Sequence, residues 1–201
     1  EAEKIGFPVL IKARSGGGGR GIRPVFSADE LEGAFESASA EAQSAFGDGG
    51  LYMEKYLKPV KHIEVQLLCD DAGRICVLGD RDCSVQRRNQ KLIEEAPAPT
   101  VSAETREKLY GAAKRAASAV GYEGVGTVEF LVSPDGSFRF MEMNTRLQVE
   151  HSVSEMVCGI DIVKWQIRVA AGLPISFDDS EIGTLGHAIE CRICAEHPFT
   201  F

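Results

Sequence analysis

With 201 residues, 44% of them hydrophobic and 26% charged, the chain has room for one large or two small water-soluble domains. A formal net charge of −8 excludes a nucleic-acid-binding class, which needs a basic face, but leaves room for a small anionic substrate held by a local cationic cluster. No apolar run reaches the roughly 18 residues of a membrane-crossing helix, and no secretory leader is visible.

Glu1 falls in what reads as the tail of a helix, and Phe201 follows directly on an apparent strand, so the expectation is an internal piece of a longer protein. Phe7-Pro-Val-Leu-Ile-Lys-Ala13 predicts a short strand entered through proline. Ser15 to Gly21 carries five glycines in six positions and leads to a second strand, Ile22 to Phe26. This is a hairpin with a glycine tip, whose bare N–H groups can wrap phosphate oxygens, with Lys12 and Arg20 supplying charge. It lacks the Gly-Lys-Ser/Thr ending of a P-loop, and no helix follows at once as in a Rossmann turn. Ser27 and Glu30 predict a capping box, with Leu31, Ala34, Phe35, Ala38 and Ala42 recurring on the inner face of a helix that Gly47 ends. Leu51 to Leu57 predicts a strand, completing a unit small enough to act as a lid hinged near Leu57–Val60.

From His62 to Leu68 polar and apolar residues alternate, putting His62, Glu64 and Gln66 on one working face. Asp70 to Gly73 is a turn and Arg74 to Gly79 the returning strand. Arg81 to Lys91 then carries four cations (Arg81, Arg87, Arg88, Lys91) against one acid, and in an acidic chain such a loop is expected to face an anion. Ser102 caps a helix to about Val120, with Leu109, Ala112, Ala113 and Ala116 inward. Strands from Gly126 and from Ser137 flank Pro134-Asp-Gly136. A two-residue loop there sets Glu129 opposite Glu142; a three-residue loop sets it opposite Met141 unless a bulge intervenes. Facing carboxylates destabilise a sheet unless a cation lies between them, so Glu129 and Glu142 are read as a metal pair.

The stretch Glu142-Met-Asn-Thr-Arg-Leu-Gln-Val-Glu-His151 is the densest in chemistry. Glu142 and Asn144 share a strand face and suit a hard cation such as Mg²⁺. Arg146, Gln148 and Glu150 follow, offering a fork for a planar anion and a carboxylate that can take a proton. Ser152 and Glu155 predict a second capping box, Asp161 a further helix start, and Gly186 to Cys194 a last strand with Ile189, Cys191 and Ile193 facing in. The six cysteines, Cys69, Cys76, Cys83, Cys158, Cys191 and Cys194, read mainly as buried free thiols of a reducing compartment. Cys191 and Cys194 have CxxC spacing without the second pair a zinc site needs.

Lys12 with the glycine hairpin, Met53 to Leu57, His62-Ile-Glu64, Arg81-Asp-Cys-Ser with Gln86-Arg-Arg, Glu94 to Pro97, Glu142 to His151 and Gly186 to Arg192 occur in one order. Together they resemble the ATP-grasp core of biotin carboxylase, the component shared by acyl-CoA carboxylases and pyruvate carboxylase. The resemblance covers essentially the whole chain, and its most specific part is Asn144 to His151. It implies an α+β ATP-grasp fold: a lid subdomain over 1–57 and a larger antiparallel sheet with helices over 58–201, which would run into the start of the family's C-terminal domain. It implies ATP-dependent carboxylation of biotin with bicarbonate, as part of a longer chain. Lys12, Gly18 and Gly19 would hold ATP phosphates, Glu54, Lys55 and Leu57 the adenine, and His62 the ribose side, with Tyr56, Gln86 and Asn89 also counted among nucleotide contacts. Glu129, Glu142 and Asn144 would hold Mg²⁺ or Mn²⁺. Lys91, Arg146, Gln148 and Val149 would hold bicarbonate, Glu150 would remove its proton, and Arg192 would steady the enolate-like oxygen of biotin.

The implied partners are a biotin carboxyl carrier domain, a carboxyltransferase component and, for full-length relatives, a second copy, in the cytoplasm or a mitochondrial matrix. One departure stands out: Asn89 replaces a His common in the family, keeping a hydrogen-bond donor but no charge. Two other readings remain open at this stage, an ATP-grasp ligase of carbamoyl-phosphate synthetase type and a nucleotide-binding module without chemistry.

Overall fold

A computed structural model describes residues 1–16 and 21–197. Gly17, Gly18, Gly19 and Arg20, on which the expected glycine tip falls, lie outside the described residues, as do 198–201. The chain divides into two compact units, Glu1–Pro59 with Arg87–Gln90, and Val60–Gln86 with Lys91–Phe201.

The first unit holds α1 (Ala2–Ile5), β1 (Val9–Ala13), β2 (Ile22–Val25), α2 (Ala28–Phe46) and β3 (Leu51–Lys55). The strands form an antiparallel sheet in the order β2-β1-β3. Val9, Ile11 and Val25 are buried with Ala38 of α2, and Leu31 and Ala34 pack against them. This is the expected alternation of β1 meeting the expected helical stripe. Phe35, expected on that stripe, is 45% exposed, and Leu31, Ala34 and Ala38 make the contact with the sheet. The Ser27–Glu30 box does not form: Ser27 makes no side-chain cap, and Glu30 instead accepts from the Phe26 N–H at 2.9 Å. Gly47 closes α2 in the left-handed region, where its missing Cβ removes the penalty.

The second unit is built on a six-stranded sheet in the order β8-β7-β4-β5-β6-β9. Its strands are β4 (Lys61–Cys69), β5 (Ile75–Arg87), β6 (Gln90–Ala96), β7 (Gly124–Val132), β8 (Phe138–Asn144) and β9 (Ala188–Cys191). Its helices are α3 (Ala103–Ala119), α4 (His151–Cys158) and α5 (Ile162–Ala170). Ile63, Val65, Leu67, Val128, Phe130 and Val132 point to one face and are buried with Leu109, Ala113 and Ala117 of α3. Leu68, Cys76, Leu78 and Val125 belong to a second cluster with Ile162 and Val169 of α5. β4 is therefore buried on both sides, not on one, and its polar residues have to be paired.

Three sequence expectations are corrected in this unit. The basic run from Arg81 is not a loop: β5 continues for 13 residues to Arg87, and the chain turns only at Arg88 and Asn89. Both have positive φ (51° and 64°), the geometry of a two-residue type I′ hairpin, which favours Asn. The Ser152–Glu155 box is replaced by a helix that starts at His151 behind Glu150; the Ser152 hydroxyl donates to Glu190, and Glu155 accepts from the Ile162 N–H at 2.6 Å. β9 also faces the other way. Ile189, Cys191 and Ile193 are exposed, while Glu190 and Arg192 reach inward to partners, because here the buried surface is the polar one.

Candidate active site

The polar face of the six-stranded sheet carries the chemistry. Glu64 and Arg81 are register partners on β4 and β5, and both are fully buried. The Arg81 guanidinium donates to Glu64 Oε2 (2.9 Å), Gln66 (2.7 Å), Thr127 (3.2 Å), Gln148 (3.1 Å) and Ser154 (2.8 Å). A buried guanidinium is stable only when its five donors are met, and here residues from β4, β7, α4 and the loop after β8 meet them. Sequence reading put Arg81 in a basic loop facing an anion; its partners lie 15 to 73 residues away and give no local signal.

Lys91, at the start of β6, donates to Glu64, to Glu129 (3.0 Å) and to Glu150 (2.7 Å). Burial alone would lower its pKa, but the three carboxylates more than reverse this and hold it well above the usual lysine range. Glu150, 2% exposed at the N-cap of α4, lies between two cations: Oε1 accepts from Lys91 and Oε2 from Arg192 at 2.9 Å. Arg192 follows β9 and also donates to Glu94 of β6 at 2.7 Å.

Glu129 sits at the other end of the network. Its Oε1 accepts from Lys91, Asn144 (2.8 Å) and Gln148 (3.0 Å), and its Oε2 pairs with His62 at 2.7 Å. Burial pushes its carboxyl up, yet His62 and Lys91 outweigh that and bring it down to about 2. Gln86 contacts the far ring nitrogen of His62 at 2.8 Å.

The β7–β8 hairpin settles the alternatives left by the sequence. Gly136 N–H returns to Ser133 O, and Val132, Leu131 and Phe130 face Phe138, Arg139 and Phe140. The loop is the three-residue one. The register then shifts, and Glu129 faces Glu142, leaving Met141 as the extra residue of a bulge. The Asn144 amide donates to both carboxylates, at 2.8 Å to Glu129 and 3.2 Å to Glu142. Arg146 donates to the Asn144 side-chain oxygen Oδ1 at 3.2 Å. Lys91, Glu129, Glu142, Asn144, Arg146, Gln148, Glu150 and Arg192 thus belong to one bonded network. Val149 is adjacent and 63% exposed.

The oxygen donors of Glu129, Glu142 and Asn144 suit a hard divalent cation, and a carboxyl held near 2 stays charged for it. Two tighter groups, His62 with Glu64 and Glu129, and Glu64 with Cys83 and Glu150, suit a metal less well. Lys91 already neutralises their carboxylates, and burial pushes the Cys83 thiol far up, away from the thiolate a metal would need.

In the first unit, Lys12 pairs with Glu54 at 2.6 Å, and Lys55 donates to the Gly6 and Phe7 carbonyls at 2.8 and 2.9 Å. The Tyr56 ring meets Phe26 edge-on at 6.0 Å and lies 5.0 Å from the Lys58 ammonium; Leu57 is half-buried. Asn89 occupies the hairpin turn described above. Gly18 and Gly19 are outside the described residues.

Residues 1–177 match the family described as carbamoyl-phosphate synthase L chain, ATP binding domain. Over 197 residues the chain is 55% identical to a pyruvate carboxylase component of Methanothermobacter thermautotrophicus, covering 98% of this chain and 40% of that protein. It is 52% identical over 200 residues to biotin carboxylase of Haemophilus influenzae, covering 100% of this chain and 44% of that one. Among solved structures, the biotin carboxylase–beta-gamma-ATP complex from Campylobacter jejuni superposes with a TM-score of 0.96 at 55% identity, over 100% of this chain and 45% of that one. The biotin carboxylase domain dimer of Hydrogenobacter thermophilus 2-oxoglutarate carboxylase, solved with MgADP, ADP and bicarbonate, gives 0.94 at 51% identity, over 98% of this chain and 44% of that one. The chain therefore spans less than half the length of these relatives.

Proposed function

The chain belongs to the family of carbamoyl-phosphate synthase L chain ATP-binding domains, and from that premise we propose that it is the ATP-grasp core of a biotin carboxylase. The reaction is carboxylation of a carrier-borne biotin at the expense of ATP and bicarbonate. One observation carries the reading: a buried carboxylate, Glu150, gripped by Lys91 on one oxygen and Arg192 on the other. Relatives at 52–55% identity that are themselves biotin-dependent carboxylase components support it.

Bicarbonate is a weak nucleophile, so it needs a base and a cationic cradle together. Lys91, Arg146, Gln148 and the Val149 N–H hold it, and Glu150 takes its proton. The freed oxygen bonds to the γ-phosphorus as the bond to the ADP oxygen breaks, giving ADP and carboxyphosphate. Lys12, Gly18 and Gly19 offset the phosphate charge. Glu54, Lys55, Tyr56, Leu57, His62, Gln86 and Asn89 are assigned to the nucleoside. Mg²⁺ or Mn²⁺ on Glu129, Glu142 and Asn144 would supply Lewis-acid neutralisation of the phosphates. Arg192 steadies the biotin oxygen when the carboxyl group is passed on. Relatives such as the Methanothermobacter pyruvate carboxylase component and the mitochondrial methylcrotonoyl-CoA carboxylase alpha chain of Dictyostelium discoideum are parts of multi-component carboxylases. A carrier domain, a carboxyltransferase and a second copy are accordingly the proposed partners, in the cytoplasm or, as for that mitochondrial relative, the matrix.

In the full-length protein, Glu150→Gln is expected to lower bicarbonate-dependent ATP cleavage by about 10²- to 10⁴-fold with ATP binding retained. Unchanged turnover would remove Glu150 as the base. The family description also favours a second reading, a carbamoyl-phosphate synthetase type of ligase that phosphorylates bicarbonate. Stimulation of ATP cleavage by free biotin and not by ammonia separates the two.

A further inference from the structure

Glu94 of β6 is fully buried, and one of its carboxylate oxygens, Oε2, has no hydrogen-bond partner among the described residues. Its other oxygen accepts from Arg192. A buried carboxylate oxygen left without a partner carries a desolvation penalty that an apolar side chain at 94 would not. Burial outweighs the nearby guanidinium and leaves the Glu94 carboxyl above its ordinary range, the mark of a charge kept to the detriment of stability.

Arg192 explains why it is kept. The guanidinium is shared between Glu94 Oε1 and Glu150 Oε2, and Glu150 is the group that gains a proton. Once protonated, Glu150 is no longer an anion, so Arg192 loses the ion pair and keeps only a weaker hydrogen bond to a neutral carboxyl. We propose that Glu94 is a positioning residue for Arg192: it keeps the guanidinium anchored while Glu150 is protonated, so that the arginine remains aimed at biotin. This inference rests on the roles given above to Glu150 and Arg192. It assigns Glu94 to the biotin half of the reaction and not to the bicarbonate half.

The two halves are measured separately in the full-length protein, as bicarbonate-dependent ATP cleavage without biotin and as carboxylation of free biotin. Glu94→Gln should leave the first within about twofold and lower kcat/KM for biotin about ten- to hundredfold. Placed on an Arg192→Lys background, Glu94→Gln should add no further loss, because both changes act on one contact. Equal falls in both activities, no change in either, or losses that multiply in the double variant would overturn the proposal. Glu94→Asp, which withdraws the charge from the guanidinium by one methylene, is read in the same way if the Gln variant folds poorly. Glu150→Gln serves as the separate control: if it spares ATP cleavage, the functional reading of the site fails, and not the link between Glu94 and Arg192.

Discussion

Asp80 and Arg81 are neighbours on β5, both buried and both charged, and they look into opposite sides of the same sheet. On the α3 side, Asp80 accepts from the Ala98 N–H (2.7 Å), the Tyr110 hydroxyl (2.8 Å) and Arg106, whose other end donates to Ala98 O at 2.8 Å. Burial, then the Asp80 charge, pushes the Tyr110 phenol far up, so it stays a donor at every working pH. That circuit closes on itself. It ties β5 to α3 and to the connection that precedes it. On the other side, Arg81 passes through Glu64 to Lys91, Glu129 and Glu150, and the bonds run on to the exposed Glu142 and Arg146. A buried charge whose bonds close serves as a rivet; one whose bonds lead out to exposed groups can register what arrives there.

The sharpest way to break this contrast is Arg81→Met. It leaves Glu64 buried with one cation fewer, and stability should fall by about 3–5 kcal/mol, read as a shifted urea midpoint. A loss under about 1 kcal/mol would mean that the network does not depend on Arg81. Asp80→Asn is expected to be milder, about 1–3 kcal/mol, and to leave bicarbonate-dependent ATP cleavage unchanged; an altered rate would deny that this circuit is closed. The smallest effect is tied to pH. The Glu129 carboxyl is held at about 2 against an ordinary 4.5, so its contribution to stability is complete above pH 4.5 and is lost as the pH falls toward 2. Glu129→Gln should flatten that acid limb in thermal melts taken between about pH 5 and pH 2. An identical limb in the variant would place Glu129 outside the bonded network.

The sequence brought Glu142 to Glu150 forward as candidates because acids and amides are packed there at alternate positions, although β8 itself ends at Asn144. The hairpin could be narrowed from sequence only to two registers, since loop length and bulge cannot be separated by counting residues. Arg81 was misplaced for a different reason. A run of four cations reads as a loop turned toward an anion, and the partners that bury one of them in a strand are visible only after folding. β9 misled through the rule that apolar residues point inward. That rule assumes an apolar interior, and Glu190 and Arg192 meet a polar one. The two capping boxes failed because a Ser and a Glu three apart also have other partners within reach, as Ser152 and Glu30 show.

Met141 carries none of the chemistry, yet its surplus residue sets which way β8 presents everything that follows. Paired in an unbroken ladder instead, Met141 would face 129, and 142 and 144 would fall opposite 128 and 126 and turn toward the helix-covered side. Two acids and an amide could then remain in the sequence, correctly spelled, with no cation able to bridge them. The bulge therefore sets the proposed cation site as much as the identity of its side chains does, and the same letters paired in an unbroken ladder would carry the inscription without the function.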